Sequence, residues 1–372
     1  MPDTLRGAVD ARVMVTLHDV AKAAGVTPSA VSYALSGKGT LSAATRSRIL
    51  AYARELGYRP NLVARGLATQ QTHTIGLVVG DIANPFYGVA AQVVERTAYR
   101  TGYRAFFVST DRDDQLGGEL LADLAARRVD GILAMAGGLP AEMVRSLVAK
   151  GVPVVWCMWE DEGQDLKPSV DLDYFAGGRS VADHLIALGH RRIAIVAHKP
   201  NPGATVHEHR LRVAGFRAGL AAAGSRDEPL MAFGDSTVES GMAAGHALLS
   251  LSTPPTAIFA TNDLMALGVL GAARDLGVPV PDALSIVGFD DIMAAALTGP
   301  PLTTVHVDVS AIMAHATTLL LRMIAGSAPG EPLMLSPTLV IRGSTGSARQ
   351  DADDPTSLAS PPLNHPSPAG RS

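Results

Sequence analysis

Ser29, Ser32 and Tyr33 lie three and four residues apart, a spacing that gathers three hydroxyl groups on one face of a short helix, away from Val31 and Leu35. Hydroxyls set among small neighbours can donate to and accept from base edges, and so slim a face can enter a DNA major groove. The elements that must hold this face are spelled out around it. Thr16 is expected to cap a first helix, with Asp19 as the capping-box carboxylate. Leu17, Val20, Ala21 and Ala24 fall on one side of it, and Gly25 supplies the positive φ that ends it. Thr27-Pro28 restarts a helix, Thr27 as N-cap and Pro28 at the first helical position. Two helices joined by about three residues must cross sharply. A third helix over residues 42–56 is expected to bury Ile49, Tyr52, Ala53 and Leu56 and to stop at Gly57.

An ordinary three-helix bundle would share these signals, and charge separates the two readings. Residues 1–72 carry nine Lys and Arg against four acids, whereas the remainder carries 22 against 31. Basic charge gathers where DNA phosphates would lie.

Other chemistry-bearing stretches lead away from catalysis. His207-Glu208-His209 has alternating metal ligands, but no Cys or His partner spacing follows, and a polar loop is the better reading. Ser36-Gly37-Lys38-Gly39-Thr40 resembles a phosphate loop yet lacks the leading glycine and follows no strand. Cys157 sits in an apolar run, as a core residue does. No G-x-G-x-x-G, G-x-S-x-G or paired-histidine motif occurs. An enzyme, a cofactor and a metal are therefore not expected.

The chain of 372 residues exceeds one domain, and 47% hydrophobic content can fill sizeable cores. No apolar leader and no membrane-spanning run is evident, so a cytoplasmic protein is expected. From residue 73 onward, continuous apolar runs at 75–79, 105–108, 132–135, 153–156, 192–196, 257–260 and 285–288 alternate with helical stretches. Parallel sheets buried on both faces read this way. Residues 74–78 and 192–196 open two halves alike, which predicts two doubly wound lobes. Ligands of such sheets bind beyond the carboxyl ends of the strands, here in a cleft between lobes.

Residues 16–67 resemble the DNA-binding headpiece of the LacI/GalR (lactose-repressor/galactose-repressor) family of bacterial transcription regulators. The resemblance continues through Asp81-Ile82-Ala83-Asn84-Pro85-Phe86-Tyr87, Arg128-Val129-Asp130-Gly131-Ile132, Arg212-Val213-Ala214-Gly215-Phe216, Thr261-Asn262-Asp263-Leu264 and Val287-Gly288-Phe289-Asp290-Asp291. It implies an all-α helix-turn-helix headpiece plus an α/β effector domain of periplasmic-binding-protein type. Implied boundaries are an N-terminal extension at 1–14, the headpiece at 15–59, a hinge helix at 60–72, two lobes for effector binding and dimerisation at 73–343, and a disordered tail at 344–372. The tail is Pro-, Ser- and Asp-rich, has almost no apolar residues and carries no leucine heptads, so a homodimer rather than a coiled-coil tetramer is expected.

On the headpiece the resemblance puts Pro28, Ser29 and Tyr33 at base-reading positions. It puts Thr27, Ala30, Ser32, Ser36, Thr40, Ser42 and Thr45 near phosphates, counts Thr16 among the DNA-binding residues, and puts Asn61, Ala64 and Leu67 in the hinge, with Leu67 entering a minor-groove step. The second helix offers no Arg, Gln or Asn for bidentate reading. In the cleft the family's polar contacts map to Arg212, Asn262 and Asp290, with walls at Phe86 and Tyr87. Asp111 is a further candidate and Asp113 a weaker one, while Asn262 and Asp263 could equally cap the following helix. An Arg, an Asn and an Asp together suit vicinal hydroxyls. Met158-Trp159 stands where sugar-responsive relatives carry an acid, and Ser236 where they often carry an aromatic; Trp159 is expected to supply the missing wall. The expected function is a DNA-binding transcriptional regulator, a repressor, whose affinity for a pseudo-palindromic operator is controlled by a small-molecule effector. A sugar is favoured over a nucleoside or another polyol. The alternative of another class is a soluble sugar-binding protein with no role on DNA.

Overall fold

A computed structural model of the chain describes residues 15–36, 39–59, 66, 71–137, 139–158, 168–199, 209–225 and 228–349. Contacts divide the chain into two units, residues 1–72 and 73–372. The expected extension at 1–14, most of the hinge including Asn61, Ala64 and Leu67, the cleft candidate Trp159, and His207-Glu208 lie outside the described residues.

The first unit contains α1 (Leu17–Ala24), α2 (Pro28–Ser36) and α3 (Ala43–Glu55). Both halves of the Thr16–Asp19 capping box are present, so two of the orphan donors at the start of α1 are satisfied. Gly25, at φ 62, turns the chain so that Val26 N–H reaches Ala21 O at 3.0 Å. Val20, Ala21, Ala24, Val31, Ala34, Ile49 and Ala53 form the core. Leu56 was expected inside and is 37% exposed. Its place is taken by Tyr58, because Gly57 adopts φ 65 and lets Tyr58 N–H bond back to Ala53 O at 2.8 Å, folding the tyrosine onto the core.

The second unit holds two six-stranded sheets. The first comprises β1 (Thr74–Val79), β2 (Arg104–Ser109), β3 (Gly131–Met135), β4 (Val154–Cys157), β5 (Ser169–Leu172) and β11 (Leu333–Leu335), in the order β11-β5-β4-β3-β1-β2. The second comprises β6 (Ile193–His198), β7 (Leu230–Gly234), β8 (Ala257–Ala260), β9 (Ser285–Asp290), β10 (Thr303–His306) and β12 (Thr338–Val340), in the order β12-β10-β9-β8-β6-β7. Pairing is parallel throughout except for β12 against β10. Both sheets are doubly wound, and their order reverses between β1 and β3 and between β6 and β8. Ligands of such folds bind at these switch points.

Crossover helices are α4 (Pro85–Arg100), α5 (Asp114–Ala126), α6 (Ala141–Ala149), α7 (Tyr174–Ala187), α8 (Arg210–Ala222), α9 (Val238–Leu249), α10 (Asp263–Asp275) and α11 (Val309–Ile324). α11 returns the chain to the first lobe, packing on α4, β3, β4 and β5. The chain thus passes between lobes after β5, after β10 and between β11 and β12. Of the tail expected to be disordered at 344–372, residues 344–349 are ordered and residues 350–372 lie outside the described residues. Ser344 is fully buried: its hydroxyl donates to Ile286 O at 2.6 Å and accepts Thr303 N–H at 2.8 Å. Buried His190 bonds Gly346 O at 3.0 Å. Polar bonds to β9 and β10 therefore order a stretch that has little apolar area to bury.

Candidate functional site

The headpiece face is short and hydroxyl-lined. Ser29 and Ser32 are exposed, Pro28 and Ala30 are half-buried, and Tyr33 is 50% exposed. Gly39, at φ 82, passes so close to the Tyr33 ring that an added Cβ would sit 3.0 Å from its Cγ. Gly39 thereby buttresses the ring while leaving half of it in solvent. Other candidates hold the helix ends: Thr27 Oγ1 accepts Ala30 N–H at 3.3 Å, and Ser42 Oγ accepts Thr45 N–H at 3.2 Å. Ser36 turns its hydroxyl onto Tyr33 O at 3.4 Å, and Thr40 is exposed.

In the second unit a cleft between the lobes is lined by Asn84, Phe86 and Tyr87 after β1, Arg112 after β2, Met135, Ala136 and Gly137 at the end of β3, Met158 after β4 and Tyr174 after β5. From the other lobe come His209, Arg212, Asn262 and Asp290. The switch point of each sheet contributes to it. Its free volume is small, about 70 Å³.

Arg212 and Asp290 form the buried ion pair of this cleft. Arg212 Nη1 lies 3.2 Å from Asp290 Oδ1 and donates to Thr261 O at 2.6 Å. The guanidinium lies over Phe289 at 4.2 Å and Tyr174 at 4.8 Å from the ring centroids, so it is held by cation–π contact as well as by charge. Burial lifts the Asp290 carboxyl to about 6 against the opposing pull of Arg212. Its backbone sits at φ 112, a sparsely populated conformation that costs about 1–3 kcal/mol and persists where surrounding contacts enforce it. Arg212 owes its position to two glycines. A Cβ on Gly178 of α7 would fall 1.9 Å from Arg212 O, and one on Gly215 of α8 1.9 Å from Phe175 O, so only glycine lets these helices cross this closely.

Asn262 lines the cleft and also caps α10, accepting Met265 N–H at 2.9 Å and donating to Ser236 O at 3.1 Å. Asp263 turns away: it accepts Ile292 N–H at 2.8 Å and the Thr304 hydroxyl. Burial, then the charge of Asp290, pushes its pKa well above the carboxylate range. Phe86 and Tyr87 pack edge to face at 5.6 Å. Asp111 does not line the cleft: it is exposed, at φ 49, and accepts the Ser109 hydroxyl at 2.8 Å. Asp113 caps α5. The same turn aims Arg112 inward instead, 3.3 Å from Asp81 Oδ2 and donating across the cleft to Asp235 O at 3.0 Å. Arg112, Tyr174 and Met135 escaped sequence reasoning, which placed His209 only in a polar loop. Their shared signal, a position just beyond a strand end, also fits many surface residues.

Two family models match the chain: Bacterial regulatory proteins, lacI family, over residues 16–61, and Periplasmic binding protein-like domain, over residues 182–345. Catabolite control protein A of Priestia megaterium is 36% identical over 296 residues, covering 78% of this chain and 87% of that protein. The ribose operon repressor of Escherichia coli (strain K12) is 33% identical over 337 residues, covering 89% and 100%. Among solved structures, the lac repressor dimer bound to operator and the anti-inducer ONPF matches with a TM-score of 0.79 at 29% identity, covering 90% of this chain and 100% of that one.

Proposed function

The chain belongs to the lacI family of bacterial regulatory proteins, and on that premise we propose that it represses transcription by binding a pseudo-palindromic operator as a homodimer, under the control of a sugar held between its lobes. Pro28, Ser29 and Tyr33 are the base-reading residues of this proposal. Thr16, Thr27, Ala30, Ser32, Ser36, Thr40, Ser42 and Thr45 lie along the phosphates. Asn61, Ala64 and Leu67 belong to the hinge, by the sequence resemblance. No catalytic step is assigned to the chain.

The observation that carries the effector reading is the buried Arg212–Asp290 pair, with Asn262 beside it and Tyr174, Phe86 and Met158 around it. A carboxylate that accepts, a guanidinium that donates and apolar rings that cover C–H faces suit a polyol ring better than a purely apolar or purely ionic ligand. A small free volume and the Arg112 bond across the cleft mean that the lobes must part to admit such a ligand and can close on it. That motion is the differential interaction by which an effector changes DNA affinity.

The test selects the preferred duplex from a random pool with the purified chain, then measures its affinity while D-ribose, D-glucose, D-galactose, cellobiose, adenosine or guanine is titrated. One of the sugars is expected to change operator affinity at least tenfold. A response to adenosine or guanine alone replaces the sugar with a nucleoside or base. Sugar binding without any operator supports instead a binding protein with no role on DNA.

A further inference from the structure

His209 is the cleft residue that neither the ion pair nor the apolar walls explain. It stands at the start of α8 with φ 64, is buried, and makes no side-chain cap to the helix behind it. Its Nδ1 lies 2.8 Å from Thr261 Oγ1, its ring tilts against that of His198 at 5.5 Å, and it lines the cleft together with Arg112 and Arg212. His198 is in turn bound through Nδ1 to Ser236 Oγ at 3.0 Å.

One hydrogen is shared between His209 Nδ1 and the Thr261 hydroxyl, and its owner decides what the other ring nitrogen offers. The Thr261 hydroxyl has one proton, and Val196 O stands 3.3 Å away to take it. Thr261 Oγ1 then accepts, and Nδ1 of His209 is the donor. Nε2 is left as a lone pair, with no hydrogen-bonding partner among the described residues. The cations of Arg212 and Arg112 disfavour a charged ring whichever nitrogen carries the proton. Burial, followed by those same cations and His198, holds the ring well below its ordinary pKa, so the neutral form persists. Thr261 thereby positions two of the polar side chains of this lobe's wall, His209 through its hydroxyl and Arg212 through its carbonyl.

We infer that His209 is a specificity residue of the cleft: it presents a fixed Nε2 acceptor and selects ligands that carry a hydroxyl or N–H donor at that point over ligands with a carboxylate or a bare carbon there. The identity of the donor as a sugar hydroxyl rests on the sugar reading above; the state of the ring does not.

The experiment has two arms on the full-length chain. In the first, histidine-¹⁵N-labelled protein is examined by long-range ¹H–¹⁵N correlation between pH 6 and 8, with His209→Phe identifying the resonances. The expected result is a neutral ring protonated on Nδ1 at every pH; a ring protonated on Nε2, or on both nitrogens, overturns the inference whether or not any sugar binds. In the second, D-ribose, D-glucose, D-galactose and their monodeoxy analogues are titrated calorimetrically into the wild type, His209→Gln and His209→Phe. For the sugar that binds, one monodeoxy analogue is expected to lose about tenfold on the wild type and nothing further on His209→Phe, while Gln restores part of the loss. Equal weakening of parent and every analogue by His209→Phe marks a purely structural histidine and overturns the inference. Binding of none of the sugars, with the Nδ1-protonated ring intact, sinks the sugar reading and leaves the acceptor assigned.

Discussion

Asp290 combines burial, a cation and a strained backbone, and its protonation has opposite consequences for binding and for folding. Burial raises its pKa from 3.8 to about 6 although Arg212 opposes the shift. A ligand that donates hydroxyl protons needs the carboxylate, so effector affinity is expected to fall about tenfold for each pH unit below about 6. Stability runs the other way. A folded-state pKa above the unfolded value favours folding below about pH 4, and that contribution is lost as pH rises through about 6. Asp290→Asn should flatten both slopes; calorimetric titrations and thermal unfolding from pH 5 to 8 check this, and an unchanged slope in the variant would assign the pH dependence to another group. On the headpiece, Tyr33 is half in solvent and buttressed by Gly39. Tyr33→Phe keeps the ring and removes one base-edge partner, so it is expected to cost about 1–3 kcal/mol of discrimination at one operator position. Effector affinity should stay unchanged, as binding assays on single-base operator variants alongside calorimetry would reveal.

At the scale of elements, the cleft depends on how α7 crosses α8. Gly178→Ala forces a methyl group into Arg212 O, and overpacking of this kind costs about 1–3 kcal/mol. The α8 start, with Arg212 and His209, must shift, so the variant should melt lower and bind effector at least tenfold more weakly; full effector affinity at wild-type stability would contradict the role given to this crossing. Arg112 is a second device, tying the end of β2 to the end of β7 across the cleft. Arg112→Gln is expected to speed ligand entry and exit, observable as faster association and dissociation in stopped flow, more than it alters the melting temperature. These elements were unequally legible in sequence. Capping at Thr16 and Asp19, and continuous apolar strands such as 75–79 and 285–288, were readable because local chemistry decides them. The edge strands β7, β11 and β12, and α11 returning to the first lobe, were not, since short half-exposed segments take their structure from their neighbours. Arg212, Asn262 and Asp290 were found through the motifs around them, but Arg112 displaced Asp111 because a turn of residues at positive φ decides which side chain faces inward.

The whole molecule joins a basic, hydroxyl-faced headpiece to an acidic two-lobe body, and its function lies in their coupling. A ligand alters DNA affinity only by as much as it prefers one arrangement of the lobes, typically 1–3 kcal/mol in coupled proteins. That coupling is reciprocal, so the selected operator must change effector affinity by the same factor by which the effector changes operator affinity. The most direct measurement therefore closes the cycle on the full-length chain: operator affinity with and without saturating sugar, and sugar affinity with and without saturating operator, for the wild type and for Arg212→Gln. The account predicts equal factors of tenfold or more for the wild type and a factor near one for the variant, whose operator affinity without sugar is unchanged. A wild-type factor of one, with sugar and operator both bound, would contradict it.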